Sequence, residues 1–248
     1  MNLQSPRLRM FAGPNGSGKS TIKDVISQEL LGIYINPDEI EKEIRAYDHL
    51  NFDNYDITTT KEEVLSFFEN STLLQNADLL EDAIYLKFNE NRLSFFEVSV
   101  NSYYASVCAD FIRKKLLESR KSFTFETVMS SYDKVELLDL AQKLGYRTYL
   151  YFVATSDPLI NISRVKNRVK FGGHSVPREK IIKRYYRSLD NLNSAIKYTN
   201  RTYIFDNTNH IKTWVAEITD AQEIEIKTDK IPLWFDKYIL KKLNKHIS

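Results

Sequence analysis

Residues 13 to 20 read Gly13-Pro14-Asn15-Gly16-Ser17-Gly18-Lys19-Ser20 and run on into Thr21, the G-x-x-x-x-G-K-[ST] pattern of a phosphate-binding loop. No other stretch limits the fold as strongly. A loop of this kind has to be carried between a strand and a helix, and its glycines let successive backbone N–H groups turn toward one anion. The flanks agree. Leu8-Arg9-Met10-Phe11-Ala12 reads as a short apolar strand, and Ile22, Val25, Ile26 and Leu30 recur at helical spacing after the loop. Gly13 to Thr21 are therefore the candidate nucleotide contacts. Lys19 supplies a charge for the β- and γ-phosphates, and the Ser20 hydroxyl is a Mg²⁺ ligand. The substrate class this implies is a nucleoside triphosphate, with ATP and Mg²⁺ as the cofactors.

The rest of the chain alternates β and α. Glycines and prolines punctuate a predicted order of strand 8–12, helix 19–30, strand 33–36, helix 38–46, helix 103–119, strand 122–126, helix 133–144, strand 147–153, helices 158–170 and 178–199, and strand 202–206. This order predicts an α/β fold, a doubly wound parallel sheet of the P-loop kinase type, with ligands at the carboxyl ends of the strands. The predicted core is 1–46 with 102–248, and a helical lid covers about 158–199. From Trp214 onward the pattern is mixed: Glu223 to Lys227 alternates like a strand, and Leu233 to Leu243 looks like an amphipathic helix.

Between the halves lies a segment of different character. Residues 47–98 hold eleven acidic and three basic side chains, a balance of −8, whereas the remainder carries +10. An acidic, mainly helical insertion over 47–101 is predicted. Its signals are a capping box at Thr60 and Glu63, a second helical pattern from Asp78 to Phe88, and a strand-like alternation from Phe96 to Val100. Such a surface is either a solvated face or an attachment point for a basic partner. No apolar run is long enough for a membrane span, a single cysteine (Cys108) suits a reducing compartment, and the first strand and loop occupy the place of a leader peptide, so a cytoplasmic location is expected.

Phosphoryl transfer needs positioning and charge neutralisation, so carboxylates and cations at strand ends are the candidates. Asp38, just after the second strand, is either the base that orients the acceptor hydroxyl or part of a helix cap. Glu126 and Thr127 end the strand Phe123-Thr124-Phe125. No run of four apolar residues followed by Asp supplies the usual second metal anchor, and Glu126 is the substitute. A basic stretch with Gly172-Gly173 at its centre offers Arg168, then Arg164, then Arg184 to meet the transferred phosphate, with His174 beside the glycine pair as a substrate candidate. Asp206-Asn207-Thr208 follows the last parallel strand, where either a base contact or a simple turn fits.

With those residues in view, the chain resembles the zeta toxin family of P-loop kinases. The resemblance is carried by GPNGSGKST (Gly13 to Thr21), Asn36-Pro37-Asp38, Phe125-Glu126-Thr127, the stretch Arg164 to Ser188 with GGHSVP and RYYRS, and Phe205-Asp206-Asn207, and it covers most of 8–46 and 102–209. It implies ATP-dependent phosphorylation of a hydroxyl on a sugar nucleotide, UDP-N-acetylglucosamine, possibly as a toxin with an antitoxin protein as partner. In that scheme Asp38 matches the catalytic base, Lys19 and Ser20 the phosphate and Mg²⁺ contacts, Glu126 a substrate-side carboxylate, and Arg168 or Arg164 the γ-phosphate arginine. Two other readings stay open. A polynucleotide or other nucleotide kinase is opposed by the absence of an aromatic-interleaved basic groove. A nucleotide-dependent switch ATPase is opposed by the absence of an Asn-Lys-x-Asp or Leu-Ser-Gly-Gly signature.

Overall fold

The computed structural model describes residues 5–173, 175–209 and 211–243. The chain forms two compact units, one from the N-terminal stretch through Leu31 together with everything from Thr124 onward, the other from Gly32 to Phe123.

The first unit starts with strand β1 (Arg7–Ala12), whose last five residues are all buried, as expected of a strand covered on both faces. After the glycine loop comes a 3-10 helix at Lys19–Val25 and then the short α1 (Gln28–Leu31). The single helix expected over 19–30 is thus broken. The break falls at Ile26, whose backbone is extended (φ −117°, ψ 132°), next to Val25 in a β-branched pair that disfavours helix.

The second unit opens with β2 (Ile33–Ile35) and α2 (Pro37–Tyr47), passes through β3 (His49–Asn51), α3 (Lys61–Glu69), α4 (Thr72–Gln75), β4 (Lys87–Asn89) and β5 (Arg92–Ser94), and closes with α5 (Ser102–Glu118). Strands β3, β5 and β4 form a small antiparallel sheet. Two expectations change here. Asp78 to Phe88 is a 3-10 turn at Glu81–Tyr85 leading into β4, and the strand lies at Arg92–Ser94, not over 96–100. The capping box at Thr60 and Glu63 is present. The acidic segment lies in one unit with α2 and α5, which bracket it. Its aromatics share one core: Phe52 and Phe67 pack on Phe111 at 5.4 and 5.3 Å between ring centres, and Phe95 on Tyr104 at 6.0 Å. All eleven acidic side chains of 47–98 are exposed around that core.

At Thr124 the chain re-enters the first unit through β6 (Phe123–Thr127), followed by α6 (Asp133–Lys143), β7 (Arg147–Ala154), α7 (Pro158–Lys170), α8 (Arg178–Ile196), β8 (Arg201–Asp206), β9 (Thr213–Thr219) and β10 (Glu223–Ile226). A last helical run comprises α9 (Leu233–Phe235), a π-helical turn at Asp236–Leu240 and α10 (Lys241–Leu243). The strand order within the unit is β10-β9-β8-β7-β1-β6. Strands β1, β7 and β8 pair in parallel, and β9 and β10 extend the sheet as antiparallel strands. Helices α7 and α8 form a hairpin sealed by Ile162, Val165 and Ile181, with Val176 and Ile182 packed against them. No helix among the described residues is long and apolar enough to cross a membrane.

Register is what builds the site. Ala12 lies opposite Phe152, and Ala154 lies opposite Asp206, so β1, β7 and β8 all end on one edge of the sheet. The glycine loop, the turn before α7 and the segment after β8 leave from that edge side by side.

Candidate active site

The loop from Gly13 to Thr21 is held by its neighbours on that edge. A Cβ on Gly13 (φ +143°) would stand 2.0 Å from the Val153 carbonyl oxygen, and one on Gly18 (φ +93°) would stand 2.3 Å from Asn207 Nδ2. Only glycine allows both the backbone conformation and the approach. Asn207 Nδ2 donates to the Ser17 carbonyl at 2.7 Å, and Asn161 Nδ2, from α7, donates to the Asn15 carbonyl at 2.6 Å. Asn161 is itself oriented by the Thr155 hydroxyl. The loop is thus pinned at two carbonyls by two asparagine amides from different elements.

Lys19 Nζ donates to the carbonyls of Gly13 (2.9 Å) and Pro14 (3.1 Å), folding across the mouth of its own loop. Asn15 Oδ1 and Ser17 Oγ are buried without a hydrogen-bond partner, a condition that concentrates at functional sites. Ser20 Oγ donates to Glu126 Oε2 at 3.3 Å. Glu126 is 8% exposed at the end of β6, so strand and loop bring a hydroxyl and a carboxylate together from positions 106 residues apart. Both are hard oxygen donors of the kind Mg²⁺ takes. Among the described residues no three His, Cys, Asp or Glu side chains cluster as a protein-only metal cage. The donor set therefore fits an ion that keeps most of its ligands from phosphate and water.

The remaining candidates distribute as follows. Thr127 Oγ1 accepts from the Met129 N–H at 3.0 Å, and Asn191 Nδ2 on α8 donates to the Met129 carbonyl at 3.1 Å, so the segment after β6 is clamped close to Glu126. Arg164, on α7, points its guanidinium at the segment after β8, donating to the carbonyls of Asn207 (2.7 Å) and Asn209 (3.3 Å). In this arrangement it fastens the loop that fastens the glycines. Arg168 is exposed one turn later, its side-chain stem against Gly173, where a Cβ would meet Arg168 Cγ at 2.6 Å. Arg184 lies half-buried on α8. His174 lies outside the described residues. Asp38 belongs to the second unit, at the second position of α2, and is exposed. The cap of that helix is Asn36, whose Oδ1 accepts the Asp38 N–H at 2.9 Å.

Asp206 resolves as a turn-former: its carboxylate accepts from the Thr208 N–H and hydroxyl, both at 3.0 Å, and from Trp234 Nε1 at 2.6 Å. The sequence reading missed Asn161 and Lys212. Lys212 Nζ donates to Thr21 Oγ1 at 2.5 Å. Neither falls in a motif. The one signal that could have found them is their position just beyond the ends of β7 and β8.

Among curated proteins, none matches this chain. Solved structures do. A chain of the AvrRxo1-ORF1:AvrRxo1-ORF2 complex with sulphate ions aligns with a TM-score of 0.53 at 14% identity, over 96% of this chain and 64% of that one. The same complex with ATP gives 0.52 at 15%, over 91% and 62%. The PezAT chromosomal toxin-antitoxin system of the human pathogen Streptococcus pneumoniae gives 0.51 at 12%, over 99% and 86%. The chain thus spans under two thirds of the length of these two AvrRxo1-ORF1:AvrRxo1-ORF2 chains. At these identities the likeness is one of fold, the mainly parallel α/β sheet described above. A family model adds a sequence match: the Zeta toxin model aligns with residues 98–219. That span leaves out Gly13 to Thr21 and Asp38, so it is independent of the phosphate loop. Over residues 98–219, from just before α5 to the end of β9, the chain is similar in sequence to the zeta toxin family.

Proposed function

We propose that the protein is an ATP-dependent kinase that transfers the γ-phosphate to a hydroxyl of a small acceptor, a sugar nucleotide such as UDP-N-acetylglucosamine, and acts as a cytoplasmic toxin held by an antitoxin protein. The observation that carries this reading is the cluster of Lys19, Ser20 and Glu126 on a loop whose glycines admit nothing larger. The family match and the fold shared with toxin-antitoxin complexes, one of them solved with ATP, support it.

Lys19 exchanges its contacts with the Gly13 and Pro14 carbonyls for the β- and γ-phosphate oxygens of the donor. Backbone N–H groups of the loop hold the same phosphates. Ser20 and Glu126 would hold Mg²⁺, which would supply charge neutralisation on the phosphates. Asp38 accepts the proton of the attacking hydroxyl, a role worth about 10² to 10⁴ in rate. Arg168, beside the glycine turn of the α7–α8 hairpin, and Arg184 are the cations offered to the transferred phosphate. Arg164 organises the loop after β8. Thr127 and the residues clamped after it, with His174, form the acceptor side.

The test is incubation with γ-labelled ATP, Mg²⁺ and a panel containing UDP-N-acetylglucosamine, other sugar nucleotides, and RNA and DNA ends. Label on a sugar nucleotide, reduced about 10² to 10⁴-fold by Asp38→Ala, is the expected outcome. Label on nucleic-acid ends, or hydrolysis with no labelled acceptor, sinks the sugar-nucleotide reading. Normal transfer by Asp38→Ala removes Asp38 from the mechanism.

A further inference from the structure

The phosphate loop holds a lysine at each end, and only one comes from the loop itself. Lys19 rests on the carbonyls of Gly13 and Pro14, where the loop begins. At the other end, Lys212 reaches Thr21 from the segment between β8 and β9, 191 positions along the chain. The Thr21 hydroxyl is already spent as a donor to the Gly18 carbonyl at 2.9 Å, so its oxygen is the acceptor for the Lys212 ammonium. The same ammonium lies 5.9 Å from the centre of the Phe205 ring. The segment that delivers it is anchored by Asn207 on the Ser17 carbonyl, by Arg164 on the Asn207 and Asn209 carbonyls, and by Asp206 on Thr208. Asn207 thus ties the segment to the glycine loop, while Arg164 and Asp206 fix its course.

A phosphate chain on such a loop runs from its β- and γ-phosphates near the loop lysine toward its nucleoside end. We infer that Lys212 is a positioning residue for the donor nucleotide, contacting the phosphate chain at the end that stays behind with the diphosphate product. The inference rests on the nucleotide reading above. An ammonium is a compact cation with three donors, and its flexible stem lets it turn toward phosphate oxygens without moving the segment. A contact made equally to ATP and ADP lowers KM and leaves kcat nearly unchanged, because it is as strong in the ground state as in the transition state.

The experiment measures ATP and ADP affinity, with Mg²⁺, for the full chain as wild type, Lys212→Met and Lys212→Arg, together with turnover at saturating ATP. Lys212→Met should weaken both nucleotides by the same factor, about tenfold for one charge-assisted contact, with turnover at saturation within about twofold of wild type. Lys212→Arg should restore most of the affinity, and both variants should melt with wild type, since the side chain is only half-buried. Unchanged binding by Lys212→Met, a loss confined to ATP, or a failure of arginine to rescue would each overturn the inference while leaving the nucleotide reading intact. Wild-type protein that binds neither nucleotide would end both.

Discussion

Gly13 shows how much a single residue decides. Its φ of +143° is closed to side-chain-bearing residues, and the space a Cβ would need is filled by the Val153 carbonyl of the neighbouring strand. Gly13→Ala should cost about 1 to 3 kcal/mol from backbone conformation alone, read as a lower urea midpoint. It should also abolish ATP binding, because the first turn of the loop has to move. An alanine variant with wild-type affinity would mean that the loop is not the phosphate cradle. The residues that make phosphate chemistry possible were legible at this scale because a loop motif is local: nine consecutive positions specify backbone turns, a cation and a hydroxyl. Asn161 and Lys212, which brace the motif, were not legible. Asn161 and Lys212 act through single hydrogen bonds to backbone or hydroxyl atoms far away in sequence, and no spacing rule marks such a residue, whereas Asn207 is marked by its place after the last parallel strand.

Among elements, those with caps were read most accurately. Asp157 before Pro158 starts α7, and the Thr60–Glu63 box starts α3, as the sequence pattern predicts. The box also couples stability to pH. Glu63 is held below the usual carboxylate range by the Thr59 hydroxyl, with Lys115 and the Thr60 N–H adding to it. Its folded-state value is thus below the unfolded one, so the contribution is complete above the ordinary glutamate pKa and disappears as pH falls through the folded value. Glu63→Gln keeps a capping side chain but loses the charge. The gap in urea midpoint between it and wild type should be present at pH 7 and close in acid; a gap that persists below pH 3 would assign the effect to packing. Elements without such signals went astray. The helix after the loop breaks at Ile26, and Asp78 to Phe88 turns early into β4, because pairing with β5 outweighs local helical periodicity.

For the whole molecule, the acidic segment matters most. Its charge predicts an inserted segment, and its packing shows what that segment is tied to. Its buried face supplies Phe52, Phe68 and Phe95 to a core shared with Tyr104 and Phe111 of α5. Deleting 47–98 should therefore give aggregated protein on size exclusion, whereas reversing exposed charges at Glu81 and Asp82 should leave it soluble and folded. A soluble, monomeric deletion variant would show that the segment is separable from the rest of its unit. By itself, the sequence determined the phosphate loop, the alternation of strands and helices, and the resemblance to the zeta toxin family, because each is written in local patterns of turn residues, periodicity and charge. Only the tertiary structure decided that Ser20 meets Glu126, that Arg164 braces the loop after β8, and that Lys212 meets Thr21. Those pairings depend on strand register along one sheet edge, which joins residues that the sequence keeps between 43 and 191 positions apart.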